Sequence, residues 1–149
     1  TAEEVRVRWM EILGARIEGA LVLELYAGTG AVGLEALSRG ARTVDFVENG
    51  PSALHALKAN IAALGARRRA RVFKQDALRF LGRLPPRAYD IALADPPYGS
   101  RQADRIVERW LEVPFASALA IEHAADHRLP AGGRTRRAGD AALTLYEEP

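Results

Sequence analysis

The stretch Ala20-Leu-Val-Leu-Glu24-Leu-Tyr26-Ala-Gly28-Thr-Gly30-Ala-Val-Gly33 decides the fold. Residues 20–26 form an apolar run interrupted only by Glu24, the pattern of a strand buried on both faces of a parallel sheet. Gly28, Gly30 and Gly33 then fit G-x-G-x-x-G in the context its mechanism needs, after a strand and at the opening of a helix. That helix runs from about Ala31 to Ser38 and stops at Gly40. Gly28 and Gly30 lack Cβ atoms and let a ligand approach the backbone closely. Gly33 lets the helix pack near the sheet.

The alternation extends outward from this stretch. Upstream, Thr1 to Ile17 reads as a helix, with Thr1 and Glu4 as a capping box and Val5, Trp9, Ile12 and Leu13 on one stripe. Downstream, Arg42 to Glu48 is a strand, and Pro51 to Leu64 is a helix with Pro51 in its first turn and Gly65 at its end. Arg71 to Lys74 is a short strand, and Ala77 to Leu84 a helix halted by Pro85-Pro86. Tyr89 to Ala94 is a strand, Arg101 to Leu111 a helix and Ser117 to Glu122 a strand. Arg134 to Ala138 and Ala141 to Tyr146 read as two strands joined tightly at Gly139-Asp140. The expectation is an α/β chain: a doubly wound, Rossmann-like, seven-stranded and mostly parallel sheet with a C-terminal antiparallel hairpin.

The 149 residues amount to a single domain spanning 1–149, with no internal repeat or linker. The chain has no cysteine, which excludes a disulfide framework, a thiolate zinc site, an iron–sulfur cluster and a cysteine nucleophile. No apolar run reaches the roughly 18 residues of a membrane span, and no charged-then-apolar leader opens the chain. A cytoplasmic setting without a membrane partner is expected. Hydrophobic residues at 48% against 27% charged argue for a packed core rather than disorder. The net charge of +2 is no signature of nucleic-acid binding. Only Lys58 and Lys74 among the 21 basic residues are lysines. Arginine grips phosphate bidentately, but a GC-rich genome produces the same bias. The chain begins at Thr1 rather than Met, so further N-terminal sequence is expected.

Glu48 ends the second strand, 20 residues after Gly28, where a carboxylate can accept both hydroxyls of an adenosine ribose. The competing structural reading, a tight turn beside a solvated Glu, leaves the combination of strand, glycines, helix and acid unexplained. The expected ligand is an adenosine cofactor, either a nicotinamide dinucleotide or S-adenosylmethionine. Glu24 favours the second, because an acid just before the glycines repels a pyrophosphate and tolerates a cationic methionine end.

Ile91-Ala-Leu-Ala-Asp95-Pro96-Pro97-Tyr98 is the most specific segment. The tetrad ends a buried strand at the ligand-binding edge, and this strand is expected beside the first across the switch point. The prolines fix φ and remove two donors, so the carbonyls before and between them become rigid acceptors. Asp95 adds an acceptor and Tyr98 an aromatic face. This set suits the exocyclic amino group of a base: accepting its N–H bonds localises the nitrogen lone pair for attack on a methyl group. Tyr98 would stack on a base withdrawn from its helix.

These residues carry a resemblance. The glycine turn with Asp-Pro-Pro-Tyr resembles class I S-adenosylmethionine-dependent methyltransferases acting on amino nitrogens. The longer run Leu23 to Ala41, with Val47-Glu48, Asn60, Gln75-Asp76-Ala77, the tetrad and Val5-Arg6, is similar to the bacterial small-subunit ribosomal RNA guanine methyltransferases, the RsmD-like family. The resemblance implies a Rossmann-like methyltransferase fold and transfer of a methyl group to the exocyclic amino group of a guanine in that RNA. By it, Glu24, Tyr26, Ala27, Gly28 and Gly30 line the methionine end of the cofactor, and Glu48 with Asn49 holds the ribose side. Asp76 with Ala77 meets the adenine edge. Asp95, Pro96, Pro97 and Tyr98 hold the guanine, and Arg101 reaches phosphate beside it. It implies no metal, S-adenosylhomocysteine as product, ribosomal RNA as partner, free or in an assembling small subunit, and a monomer. The departures are mild: Glu24 often stands as Asp in the family, Tyr26 as Phe and Thr29 as Ser. The family's basic N-terminal stretch before the segment matching Thr1 is absent from this numbering, which bears on RNA affinity.

Other polar residues have plainer readings. Arg67-Arg68-Arg69 and Arg71 precede or open a strand at the edge away from the cofactor, as a solvated surface would. Arg101, Arg105 and Arg109 share a helix face that begins just after the tetrad. Arg134, Arg136 and Arg137 have no assignment. Glu122, His123 and His127 would need a helix to gather on a metal, and the segment reads as strand into loop. His55 reads as a helix-surface residue, and Ser38 and Ser52 have no His–Asp partners in pattern. Three rivals remain: a DNA amino methyltransferase, which usually needs a target-recognition domain; a nicotinamide-binding oxidoreductase domain, which leaves the tetrad unused; and a non-catalytic RNA-binding module.

Overall fold

The computed structural model describes residues 3–149. In chain order the elements are α1 (Glu3–Leu13), β1 (Leu21–Leu25), α2 (Ala31–Ser38), β2 (Thr43–Val47), α3 (Pro51–Ala63), β3 (Ala70–Phe73) and α4 (Ala77–Leu81). There follow β4 (Tyr89–Ala94), α5 (Gln102–Glu112), β5 (Ala116–Ala124), β6 (Arg134–Ala138) and β7 (Ala141–Glu147). The expected helix over 1–17 ends earlier. After Leu13, Gly14 at φ 52 lets the chain tighten into a 3-10 turn, Gly14–Arg16, before Ile17 is buried. The proposed Thr1 cap lies outside the described residues. The helix after Asp76 stops at Leu81 rather than Leu84, and β5 runs past Glu122 to Ala124 because β7 pairs with it as far as Ala141.

The seven strands form one sheet in the order β3-β2-β1-β4-β5-β7-β6. The first five are parallel, and β7 runs antiparallel to both β5 and β6. This is the doubly wound arrangement with a closing hairpin. Gly139, at φ 64, supplies the left-handed position in the two-residue link between β6 and β7. The chain leaves β1 in one direction for β2 and β3 and returns to its other side for β4, so the switch point lies between β1 and β4.

Alternation along each strand divides the core between two faces. Val22, Val44, Phe46, Ile91 and Leu93 pack with Trp9, Leu13, Leu37 and Leu57 from α1, α2 and α3. Leu23, Leu25, Val47, Ala92 and Ala94 pack with Leu81, Ile106 and Trp110 from α4 and α5. With both faces covered, apolar runs on the central strands are what burial demands. Among the described residues no helix is long and apolar enough to cross a membrane.

Candidate active site

Beside the switch point, along the C-terminal ends of β2, β1 and β4, two hollows open as neighbouring lobes with a common wall. The larger lobe, about 480 Å³, is lined by Tyr26, Glu48, Asn49, Gln75, Asp76, Ala77, Asp95, Pro97 and Gln102. The smaller, about 230 Å³, is lined by Trp9, Glu24, Tyr26, Ala27, Gly28, Thr29 and Asp95. Tyr26 and Asp95 border both. The glycine turn, the end of β2 and the tetrad, distant in sequence, are therefore gathered around these two adjoining lobes.

The turn after β1 is forced into shape. Tyr26 is a non-glycine residue at φ 55, which costs about 1–2 kcal/mol. Its hydroxyl donates to Gln102 Oε1 on α5, which helps hold it there. Gly28 (φ 57) faces open space where a Cβ would stand, as expected of a residue left bare for a ligand. Gly30 differs. A Cβ there would lie 2.5 Å from Leu57 Cδ1, and Gly30 lines neither lobe, so the core accounts for this glycine. A Cβ on Gly33 would stand 2.6 Å from the Phe46 ring and 2.7 Å from Glu24 Oε1. Close approach of α2 to the sheet requires a glycine there, as the sequence suggested.

Glu24 is buried, and its Oε1 accepts a hydrogen bond from the Gly33 N–H at 3.0 Å. Burial, with Asp95 and Glu48 adding negative charge, pushes its pKa up to about 8, against the partial relief of the Gly33 bond. Glu24 is therefore not the standing negative charge that its place before the glycines suggests: burial keeps a proton on it at neutral pH. Glu48 accepts from three backbone N–H groups: Gly28 at 2.8 Å, Gly50 at 2.9 Å and Asn49 at 3.1 Å. It therefore braces the glycine turn against the end of β2 while lining the larger lobe. Asp76 caps α4 by accepting from Arg79 N–H at 3.1 Å.

At the tetrad, the surrounding protein and then the charge of Glu122 push Asp95 up to about 6. The Ser100 hydroxyl donates to the Pro97 carbonyl at 2.7 Å. Among the described residues the Pro96 carbonyl accepts no hydrogen bond. Tyr98 is 50% exposed, and its hydroxyl donates to Glu122 Oε2 at 2.9 Å. Arg101 stands exposed at the start of α5, next to this loop.

Four further residues stand at the site. Trp9 belongs to the apolar stripe of α1, yet it borders the smaller lobe with its buried indole N–H unpartnered among the described residues. Gln75 and Gln102 line the larger lobe. Glu122, next to His123 in sequence, pairs instead with Tyr98. Its signal in the sequence is the pair of apolar runs that lead into Asp95 and Glu122, which adjacent parallel strands set side by side.

The remaining candidates are structural. His123 Nε2 contacts Thr144 Oγ1 at 2.7 Å, and its Nδ1 contacts the Ala124 carbonyl at 2.9 Å. His127 Nε2 contacts Asp104 at 3.0 Å, and His55 is exposed on α3. Arg71 binds buried Asp45 through two N–H groups at 2.9 and 2.8 Å. Arg109 contacts Glu112 and the Gly82 carbonyl, turning from the tetrad that Arg101 adjoins.

Comparison with known proteins fits this geometry. The profile of the family described as Conserved hypothetical protein 95 matches residues 1–146. Ribosomal RNA small subunit methyltransferase D of Escherichia coli (strain K12) is 36% identical over 158 residues, covering 99% of this chain and 78% of that protein. The solved structure of a hypothetical protein from Thermus thermophilus superposes with a TM-score of 0.85 at 29% identity, over 99% of this chain and 87% of the other. An RNA methyltransferase from Salinibacter ruber, solved with S-adenosyl-L-homocysteine, shares the fold: TM-score 0.76 at 13% identity, over 100% of this chain and 93% of the other. The chain therefore belongs to the Conserved hypothetical protein 95 family, that of the RsmD-like methyltransferases.

Proposed function

We propose that the protein transfers a methyl group from S-adenosylmethionine to the exocyclic amino group of a guanine in small-subunit ribosomal RNA. The observation that carries this reading is that Asp95, first residue of the tetrad, borders both lobes. An acceptor for the target nitrogen thus stands where the two halves of a nucleoside-plus-amino-acid cofactor would join.

The residues fit that cofactor. The larger lobe suits the adenosine, with Asp76 and Ala77 beside the base. The Glu48 carboxylate has about four lone-pair sites, of which backbone donors use three, so one is left for a ribose hydroxyl. The smaller lobe suits the methionine end: Gly28 leaves its backbone bare, Trp9 offers an unpartnered N–H, and Glu24 offers a carboxyl that can ionise against a cation.

Bound S-adenosylmethionine supplies a sulfonium methyl whose bond to sulfur breaks with the electron pair left on sulfur. The chain's own part is to prepare the nucleophile. Asp95 and the Pro96 carbonyl accept the two N–H bonds of the amino group, drawing its lone pair out of the ring and aiming it at the methyl. The nitrogen forms the new bond to carbon and loses a proton, which Asp95 is placed to take. Tyr98 stacks on the base, and Arg101 meets phosphate beside it. RNA, free or in an assembling subunit, is the partner, with the protein acting as a cytoplasmic monomer.

The test offers naked small-subunit RNA, the same RNA bound by ribosomal proteins, and duplex DNA with labelled cofactor, and identifies the product nucleoside. The expected product is N2-methylguanosine. Asp95→Ala is expected to lower transfer by about 10²–10³-fold with RNA binding unchanged. Labelling of DNA alone overturns the reading, as does NAD binding without any response to S-adenosylhomocysteine.

A further inference from the structure

We infer that Glu122 selects guanine by accepting the N1–H that lies beside the amino group being methylated. The inference rests on the reaction proposed above and adds a residue that this reading does not use. Glu122 is 9% exposed, and its Oε1 is buried without a hydrogen-bond partner among the described residues. Its Oε2 is fixed by the Tyr98 hydroxyl at 2.9 Å. A buried carboxylate oxygen with no donor is costly, which marks a place where a ligand is expected to supply one.

The sheet sets where that donor must come from. Ala94 pairs with Ile121, so Asp95, the residue after β4, stands beside Glu122 on β5. The negative charge of Glu122 is felt at Asp95. Pro96, Pro97, Tyr98 and Glu122 also border one crevice of about 10 Å³, which joins these side chains but is too small to be the base's own space. In this assignment a base whose amino group reaches Asp95 and Pro96 turns the adjoining part of its edge toward Glu122.

Among the amino-bearing bases that adjoining group differs. Adenine and cytosine each place a ring-nitrogen lone pair beside the amino group, on the pairing edge. Guanine places N1–H there. A carboxylate at this point satisfies guanine and repels the other two. Sites built to pair a donor discriminate strongly against analogues that lack it, because the acceptor is then buried unpaired.

A substrate analogue isolates the contact. 2-Aminopurine keeps the amino group at C2 but has no hydrogen on N1. A synthetic RNA hairpin carries guanine or 2-aminopurine at the methylated position, ligated into full small-subunit RNA where the protein requires the assembled particle. Wild type is expected to prefer guanine by about 100-fold in kcat/KM. In Glu122→Gln the Tyr98 hydroxyl can hold the amide oxygen, turning the amide N–H toward the base, so the preference falls to a few-fold or inverts. Binding of S-adenosylhomocysteine by Glu122→Gln, equal to wild type, confirms that the variant is folded. Equal use of both substrates by wild type overturns the inference without recourse to any variant. An undiminished guanine preference in Glu122→Gln does so as well, since the analogue also lacks O6. Absence of methyl transfer to guanine by wild type refutes the proposed reaction itself, and this assignment with it.

Discussion

Burial holds a proton on Glu24 at neutral pH, and a cation bound in the lobe it lines would draw that proton off. With the carboxyl at about 8, cofactor binding at pH 7 should release a proton, and affinity should rise as pH rises toward 8. Calorimetry in buffers of different ionisation enthalpy checks this: the apparent enthalpy should vary with the buffer at pH 7 for wild type and not for Glu24→Gln. The same shift works against stability. Between the ordinary value of 4.5 and about 8 the folded chain holds a proton that the unfolded chain gives up. The contribution is thus intact below 4.5 and shrinks as pH rises through that window. In the proposed reaction Asp95 acts in the other direction. Its carboxyl, raised to about 6, accepts amino hydrogens only when ionised, so single-turnover methyl transfer should fall roughly tenfold per pH unit below 6. A rate flat from pH 7 to 5 removes Asp95 from the reaction as described.

At the scale of elements, Glu48 shows how one side chain joins two of them. It spans from the end of β2 to the turn after β1, so its loss should be felt with no cofactor present. Glu48→Ala is expected to destabilise the free protein by about 1–3 kcal/mol, read as a lowered urea midpoint. A residue that only held a ribose would leave that midpoint in place. The elements themselves were readable because apolar runs and glycine stops are local signals: β4 and α2 fall at the expected residues. The misplaced ends have causes of another kind. Gly14 turns the chain into a tighter helix without halting it, and β5 outlasts its apolar run because β7 supplies partners for Glu122 and His123. Pairings of this sort are set across the sheet and leave no mark on the strand's own sequence.

For the molecule as a whole, the sequence pointed to the site's edge of the sheet but not to the contacts within it. Tyr26 finds Gln102 76 residues away, and Tyr98 finds Glu122 24 residues away. Single-sequence periodicity carries no information about either. The arginines divide by position in the same way. Arg101, exposed beside the tetrad, should contribute to RNA affinity: Arg101→Ala should weaken binding and reduce the slope of log affinity against log salt by about 0.7–0.9. Arg71→Ala should leave that slope unchanged while lowering stability by about 1 kcal/mol, since it is committed to Asp45. Measuring both variants across a salt series separates the two roles.

Those positions also bear on how the sheet ends. Its two outer strands are β3 and β6, each with one row of backbone donors and acceptors unmatched by a neighbour within the sheet. Such a row is a template on which another chain could add a strand. On β3 the exposed side chain is Arg71, and on β6 Arg134, Arg136 and Arg137 stand exposed. A second copy adding along β6 would bring guanidinium groups together, which opposes that addition. The arginines on this edge thus bear on where the sheet stops growing, a consequence that needs no RNA.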